Sequence, residues 1–384
     1  MVGFSAKNSK ERKNKIGLTA FLVLFAVFSL IFPVTANKTL VANAKSQKQG
    51  YVLIECSSNR VLKAENEHNR LPMASTTKIM TALIAVERLK LDDVVTIPKE
   101  AVGIEGSSIY LKLGEKISVL DLLYGLMLRS GNDSAVALAI HTAGSVSKFV
   151  DLMNEKANQL GLKNTSFKNP HGLSEKEHFT SAYDLALIAS YAMKNPTFKE
   201  IVGTKSHVAK AENEEENRYF ANKNRILYNY SGGNGIKTGY TVDAGRCLVA
   251  SSERNSMQVI AVALNYYDYF EFCSQLMDYA FENYEMKKVV DNSTPYATIK
   301  VKKGGKVKTA EIFALNDCFY PIKKDGSEEI KVDVTHQDQL VAPHDKQTSC
   351  GNVKIYIGNC LKFEEKLYTI YNIEKKFSIT DFWS

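Results

Sequence analysis

The residues of this chain that could do chemistry form three short motifs. They are Ser75-Thr76-Thr77-Lys78, Ser130-Gly131-Asn132 and Lys237-Thr238-Gly239, in that order. An alcohol is a weak nucleophile at neutral pH and needs a neighbouring base. Residues three apart on a helix share a face, so Ser75 and Lys78 project together if a helix begins near Ser75. Lysine acts as a base only when neutral, and burial or nearby positive charge disfavours its ammonium form. Lys237 supplies such a charge. The first N–H groups of a helix lack intrahelical partners, which leaves that of Ser75 able to stabilise an oxyanion. Each motif alone also fits a bland surface turn. Ser130-Gly131-Asn132, however, interrupts two apolar helical stretches, as a loop at a cleft wall would. Gly239 lets another chain approach the backbone closely. In combination the three specify a serine acyl-enzyme site with a lysine base.

The elements that must position these groups can be read from the spacing of apolar residues. Tyr51 to Ile54 and Val61-Leu62 read as strands around the turn at Ser57 to Arg60. From Ser75 the pattern becomes helical, with Ile79, Leu83, Val86 and Leu89 at three- and four-residue intervals. Further helices are expected over Leu120–Leu128, from Asp133 to His141, over Phe149–Leu160 and over Ala182–Met193. Leu248–Ser251 and Gln258–Leu264 read as strands. Strands at both ends with helices between them predict an α+β domain whose sheet joins the two ends of the segment. After residue 285 apolar and polar residues alternate, as in Thr298–Lys302, Ile330–Val334 and Val353–Ile357, which predicts a small all-β domain.

At 384 residues the chain has room for two or three domains at roughly 100–200 residues each. Its net charge of +7 is concentrated at the N-terminus. Residues 1–44 carry six basic groups against Glu11, and the remainder holds 43 basic and 41 acidic groups, a net +2. That balance argues against a nucleic-acid partner. Lys7 to Lys15, the apolar run Ile16–Phe32 and the small residues at Ala36 and Ala44 have the layout of a secretory signal, with an uncleaved anchor as the alternative. Either reading puts the rest of the chain outside the cytoplasm. We therefore divide the chain into residues 1–44 (signal or anchor), 45–285 (catalytic domain) and 286–384 (β-rich domain). The six cysteines form no C-x-x-C pair, and no histidine spacing completes a zinc site, so neither metal nor cofactor is expected. Cys350 and Cys360 could bridge a hairpin, although buried free thiols are favoured. His171 reads as a structural loop residue rather than a base, because Lys78 already fills that role. The acidic cluster Glu212 to Glu216 reads as a solvated loop.

The motif set resembles that of penicillin-binding proteins and serine β-lactamases. The wording around it narrows the likeness to the low-molecular-mass penicillin-binding proteins that act as serine-type D-Ala-D-Ala carboxypeptidases. Met73 to Met80, Gly106-Ser107-Ser108, Leu122 to Met127, Asn169 to Leu173 and Gly235 to Thr241 all resemble that family. The resemblance implies a β-lactamase/transpeptidase-like catalytic domain, an antiparallel sheet with helices, ahead of the all-β domain. It implies that Ser75 attacks the carbonyl between two D-alanines of a peptidoglycan stem peptide while Lys78 takes its proton. Ser130 would relay a proton to the leaving D-alanine and Asn132 would hold the substrate backbone. Lys237 and Thr238 would bind near the terminal carboxylate, with Gly239 in the same strand. The N–H groups of Ser75 and Tyr240 would form the oxyanion hole. β-Lactams would acylate Ser75 and remain bound.

This chain departs from the family pattern twice. Members often carry an arginine just after the strand that ends here at Leu264, but this chain reads Asn265 to Phe270 without one, which leaves Lys237, Arg225 or Arg246 to compensate. The tail from Glu374 to Ser384 holds the sole tryptophan among lysines and aromatics. It reads equally as a peripheral membrane contact and as a packed or frayed end. Two other tasks remain open on the same fold. A class A β-lactamase would need an E-x-x-L-N segment, which is missing between Ser130 and Lys237. A non-catalytic wall-binding protein would not need the motifs intact.

Overall fold

The computed structural model describes residues 49–210 and 216–376. The expected signal, most of the Glu212 to Glu216 cluster and the residues of the tail beyond Lys376 lie outside the described residues.

Five antiparallel strands make the central sheet of the catalytic part. They are β1 (Gly50–Glu55), β2 (Val61–Glu65), β3 (Gly233–Thr241), β4 (Gly245–Arg254) and β5 (Met257–Leu264), in the order β2-β1-β5-β4-β3. The N-terminal strand pairs with the late strand β5 from Gly50↔Leu264 to Glu55↔Val259, so the sheet does join the two ends. β1 is buried throughout because both sheet faces are covered. That is why these strands read as continuous apolar runs rather than as clean alternation. Val52, Ile54, Val249 and Val262 enter a large core shared with the helices. Leu53, Leu248, Ala250 and Ala261 enter a second core against a late helix. β3 is an edge strand, and it carries Lys237-Thr238-Gly239.

The longer helices are α1 (Lys78–Arg88), α2 (Val119–Leu128), α3 (Asn132–Ala143), α4 (Val146–Gln159), α5 (Ala182–Met193), α6 (Pro196–Gly203) and α7 (Tyr269–Asn283). Their starts follow local chemistry. The hydroxyls of Ser118, Ser145 and Ser181 accept the N–H three residues on, and the Asn195 carboxamide oxygen does the same with Pro196 following. α1 contacts α2, α3, α4, α5 and α6, and its residues from Lys78 to Ala85 are all buried. The sequence pattern led us to expect this helix from Ser75. Instead Ala74–Thr77 forms a 3-10 turn and the α-helix begins at Lys78. α6 and α7 were not among the expected helices, although their buried residues do recur at three- and four-residue intervals.

From Tyr284 to Lys376 the regular elements are all β. β6 (Tyr284–Val290) pairs with β9 (Cys318–Lys323). The other strands are β7 (Ala297–Lys302), β8 (Thr309–Ala314), β10 (Ile330–His336), β11 (Gln339–Val341), β12 (Gly351–Ile357) and β13 (Cys360–Thr369). They form a six-stranded sheet in the order β10-β12-β13-β8-β7-β11. Its inward positions, among them Ile299, Ile312, Val353, Ile355 and Leu367, make a separate core. All six cysteines are free. Cys56, Cys247, Cys273 and Cys350 are buried as expected, but Cys318 is half-buried and Cys360 exposed. Cys360 opens β13 at a hairpin turn, where its neighbours point to solvent.

Candidate active site

Ser75 and Lys78 lie at the two ends of one turn. A 3-10 turn has three residues per turn, so positions i and i+3 eclipse. The Lys78 Nζ therefore sits 3.0 Å from the Ser75 Oγ. The amine is fully buried and has two further neighbours, Asn132 Oδ1 and the His171 carbonyl oxygen, each at 2.6 Å. Both of these accept hydrogen bonds and cannot donate to it. A neutral amine has two N–H donors and one lone pair. Two donated bonds to these carbonyl oxygens turn the lone pair toward Ser75, whose O–H can donate to it. Burial drives the pKa of Lys78 well below its ordinary value. The Lys237 charge adds to this, the Lys223 charge adds less, and the Asp133 carboxylate opposes it.

The turn that holds Ser75 is supported from beneath by the loop Asn169–Leu173. Gly172 has φ +91°, and a Cβ there would lie 1.9 Å from the Ala74 carbonyl oxygen, so only glycine permits this approach. The loop's carbonyls meet α1: Pro170 O accepts from the Thr81 hydroxyl at 2.6 Å, and His171 O accepts from Lys78. The Asn169 carboxamide oxygen accepts the Gly172 N–H at 2.7 Å, which closes the loop on itself. The His171 ring accepts the Leu173 N–H at 3.2 Å and its pKa falls to about 3, chiefly through burial, so this side chain stays neutral and structural. His178 is a second buried imidazole, held to about 4 by burial. Its Nδ1 accepts the Lys168 N–H, so its Nε2 carries the proton and donates to the Thr77 hydroxyl at 2.9 Å.

Ser130 and Asn132 occupy the break between α2 and α3. Ser130 has φ +65° and is buried. The break is tied to the segment before α2. Asn132 N donates to Ser107 O at 2.7 Å, and Asn132 Nδ2 donates to Glu105 O at 2.5 Å. An amide nitrogen has two hydrogens, so one remains for a ligand. Asp133 fixes the same wall by accepting from the Ser108 hydroxyl and from the N–H groups of Ile109 and Leu111. Asp133 was not foreseen as part of the site, although its place directly after Ser130-Gly131-Asn132 was a usable signal.

β3 closes the other side. A Cβ on Gly239 would lie 3.1 Å from the Ser75 nitrogen and 3.2 Å from the Ala74 Cβ. The edge strand thus runs directly against the nucleophile's backbone. Lys237 is buried and its Nζ donates to Thr238 O at 3.0 Å. Burial and the Lys223 charge bring its pKa down to about 7. Thr238 is half-buried and Tyr240 exposed. Two cavities adjoin these groups. One of about 400 Å³ borders Ala74, Gly172, Leu173, Thr241 and Asp243. The other, of about 950 Å³, borders Tyr240, Lys223, Arg225 and Arg246. The structure brings Ser75, Lys78 and Asn132 into direct contact and puts Gly239 against them. Lys237 acts on Lys78 through its charge. Lys223 was not foreseen, because it lies outside the three motifs and its effect on Lys78 comes from a segment distant in sequence.

Among the described residues no cluster of His, Cys, Asp and Glu could hold a metal ion. The arrangement sets a serine hydroxyl 3.0 Å from a buried amine of lowered pKa, beside a strand edge.

Residues 36–267 match the family described as D-alanyl-D-alanine carboxypeptidase. Residues 284–375 match the family described as penicillin-binding protein 5, C-terminal domain. The chain is 37% identical over 311 residues to D-alanyl-D-alanine carboxypeptidase DacF of Bacillus subtilis, covering 79% of each. It is 33% identical over 360 residues to D-alanyl-D-alanine carboxypeptidase DacA of Haemophilus influenzae, covering 89% of each. A crystal structure of penicillin-binding protein 5 from Haemophilus influenzae, 31% identical, superposes with a TM-score of 0.71 over 86% of this chain and 98% of that one.

Proposed function

This chain belongs to the D-alanyl-D-alanine carboxypeptidase family, and from that premise we propose the reaction of its site and the part each side chain takes. The protein is a serine peptidase that removes the terminal D-alanine from peptidoglycan pentapeptide stems, and it binds penicillin. Neutral Lys78 accepts the Ser75 proton as Oγ bonds to the carbonyl carbon between the two D-alanines. The N–H groups of Ser75 and Tyr240 receive the negative charge on the carbonyl oxygen. Removing one such donor costs roughly 10²–10³ in rate. As the C–N bond breaks, the departing amine takes a proton that Lys78 returns through Ser130. Water then attacks the acyl-enzyme, Lys78 acting again as base, and frees Ser75. Asn132 holds Lys78 with its oxygen and offers its spare N–H to a substrate carbonyl. Thr238 and Lys237 lie by the terminal carboxylate, and Gly239 leaves room for the strand edge to meet Ser75. A β-lactam acylates Ser75 in the same way, but its leaving amine stays tethered and blocks water.

The observation that carries this reading is the Lys78 amine, 3.0 Å from the Ser75 Oγ with only carbonyl oxygens as its other partners. The test incubates the protein with a peptide ending Lys-D-Ala-D-Ala, measures free D-alanine with and without penicillin, and weighs the penicillin adduct by mass spectrometry. Ser75→Ala should show neither product. Lys78→Arg, which cannot lose its proton, should slow acylation by about 10²–10⁴-fold. A folded wild type that neither releases D-alanine nor retains penicillin would leave the fold with a binding role only. Rapid loss of the adduct would make the protein a β-lactamase.

We further propose that the protein works outside the cytoplasm, at the outer membrane face or in the wall. The support is the signal-like layout of residues 1–44 and a substrate found there.

A further inference from the structure

The wall opposite β3 has no ladder to hold its shape. Residues 102–115 lie in neither helix nor strand, between a 3-10 turn and the strand Lys116–Ser118. Yet this segment sets Asn132. Ser107 O accepts the Asn132 backbone N–H and Glu105 O accepts a carboxamide hydrogen, while Asn132 Oδ1 accepts from Lys78 at 2.6 Å. Buried backbone groups outside a ladder need other partners. Two charged residues provide them from opposite sides. Asp133 takes the donors, the N–H groups of Ile109 and Leu111, at 3.0 and 3.2 Å. Arg218 takes the acceptors. Its Nε donates to Ile109 O at 3.0 Å, and one terminal nitrogen donates to Tyr110 O at 3.1 Å. The same guanidinium pairs with both oxygens of Glu115, whose side chain is fully buried and also accepts the Lys112 N–H at 2.9 Å. Four of its five N–H donors are thus used. Between these grips Tyr110 has φ +61°, a left-handed conformation that strains an aromatic residue and persists only where the surroundings enforce it. Arg218 reaches this segment from outside all three motifs, on a short strand, Arg218–Ala221, that pairs with Ser206–Ala209.

We propose that Arg218 is a positioning residue of the active site: by gripping the carbonyls of Ile109 and Tyr110 and the carboxylate of Glu115, it holds the wall that aims Asn132 at Lys78 and at the substrate. The proposal rests on the peptidase reading above and adds to it a group that touches neither Ser75 nor the peptide. The test follows penicillin acylation by mass and records both its rate and the final amount of adduct. The amount counts folded sites, and the rate constant at saturating penicillin reports their geometry. Arg218→Lys keeps a charge beside Glu115 but lacks the planar fork that spans two carbonyls and a carboxylate. Arg218→Met together with Glu115→Gln removes both charges, so no buried carboxylate is left alone. Lys156→Met, which breaks a sheltered ion pair with Glu87 on α1, is the control. Both Arg218 variants should acylate about 10- to 100-fold more slowly per reactive site, the cost of a small misplacement, with each chain still taking its adduct. The lysine should be the milder of the two. In D-alanine release kcat should fall by more than KM rises. Lys156→Met should keep the wild-type rate. Less adduct at an unchanged rate constant would make Arg218 a support of the fold only and overturn the proposal. Wild-type rates in both variants, or an equal slowing in the control, would do the same. In each of these cases the wild-type adduct keeps the peptidase reading, whereas a wild type that takes up no penicillin and releases no D-alanine removes both. Should the double variant fail to fold, Arg218→Lys, which leaves Glu115 paired, decides alone.

Discussion

At the scale of single residues, burial lowers the pKa values of the basic groups around Ser75. Lys78 is the clearest case, and two imidazoles beside it follow the same rule. His178 and His171 sit neutral, with pKa values of about 4 and about 3 against an ordinary 6.5. Because folding lowers these values, the unfolded chain binds more protons than the folded one between about pH 6.5 and 4. Stability is therefore full above that window and falls as pH drops through it. Urea unfolding should show this loss directly. In His178→Gln the fall between pH 7 and 4 should be smaller than in wild type by about 1–3 kcal/mol. Parallel curves for the two proteins would mean that His178 plays no part. Ser75, Lys78, Ser130 and Asn132 were legible in the sequence because each belongs to a short motif whose chemistry is local. His178 and Asp133 were not, since a lone imidazole or carboxylate reveals its burial only after the chain has folded around it.

At the scale of elements, the Asn169–Leu173 loop is the support that makes the 3-10 turn possible. It lies against Ala74 and gives α1 the carbonyl acceptors its first residues need. Gly172→Ala should disturb both. The added methyl would overlap the Ala74 carbonyl at 1.9 Å, besides the cost of its left-handed backbone. Gly103 has a similar φ of +72° but nothing within 4 Å of a built Cβ, so Gly103→Ala measures the backbone cost alone. We expect Gly103→Ala to lose about 1 kcal/mol and Gly172→Ala at least twice that, with slower penicillin acylation only in the latter. Thermal unfolding and adduct formation followed by mass check both. Equal effects of the two would show that the loop yields freely. The helix over residues 78–88 was readable from its apolar spacing, but its 3-10 entry was not, because the periodicity of Ile79, Leu83 and Val86 says nothing about the turn before them. α7 escaped notice because its buried residues, Cys273, Leu276, Met277 and Ala280, are interleaved with half-buried aromatics and with acids, which blur the apolar face.

At the scale of the whole molecule, one arginine joins the two cores. Arg60, in the turn between β1 and β2, reaches into the β-rich part. It donates to Pro321 O at 2.5 Å, pairs with Glu328, and lies 5.2 and 5.3 Å from the ring centroids of Tyr284 and Tyr320. A partly buried charge that loses its partner leaves the other unpaired, which costs more than the pair contributes. Arg60→Ala should therefore weaken the coupling by about 1–3 kcal/mol. Calorimetry should resolve two transitions where the wild type gives one, with D-alanine release near wild type. A single transition at an unchanged temperature would show that the contact does not couple the parts. The β-rich part itself was readable from its alternating strands, whereas the use of Arg60 as a clasp was not. A lone arginine after a serine-rich turn carries no sign of what it will face.

The sequence by itself marked Ser75 as the candidate nucleophile and Lys78 as an amine one turn away, because both follow from local spacing along a single turn. It also determined that a sheet would join the ends of the catalytic segment, since apolar runs mark strands covered on both faces. The depressed pKa of Lys78 was decided only by the tertiary structure. It depends on complete burial, on carbonyls from α3 and the Asn169–Leu173 loop, and on charges carried by β3 and the segment before it.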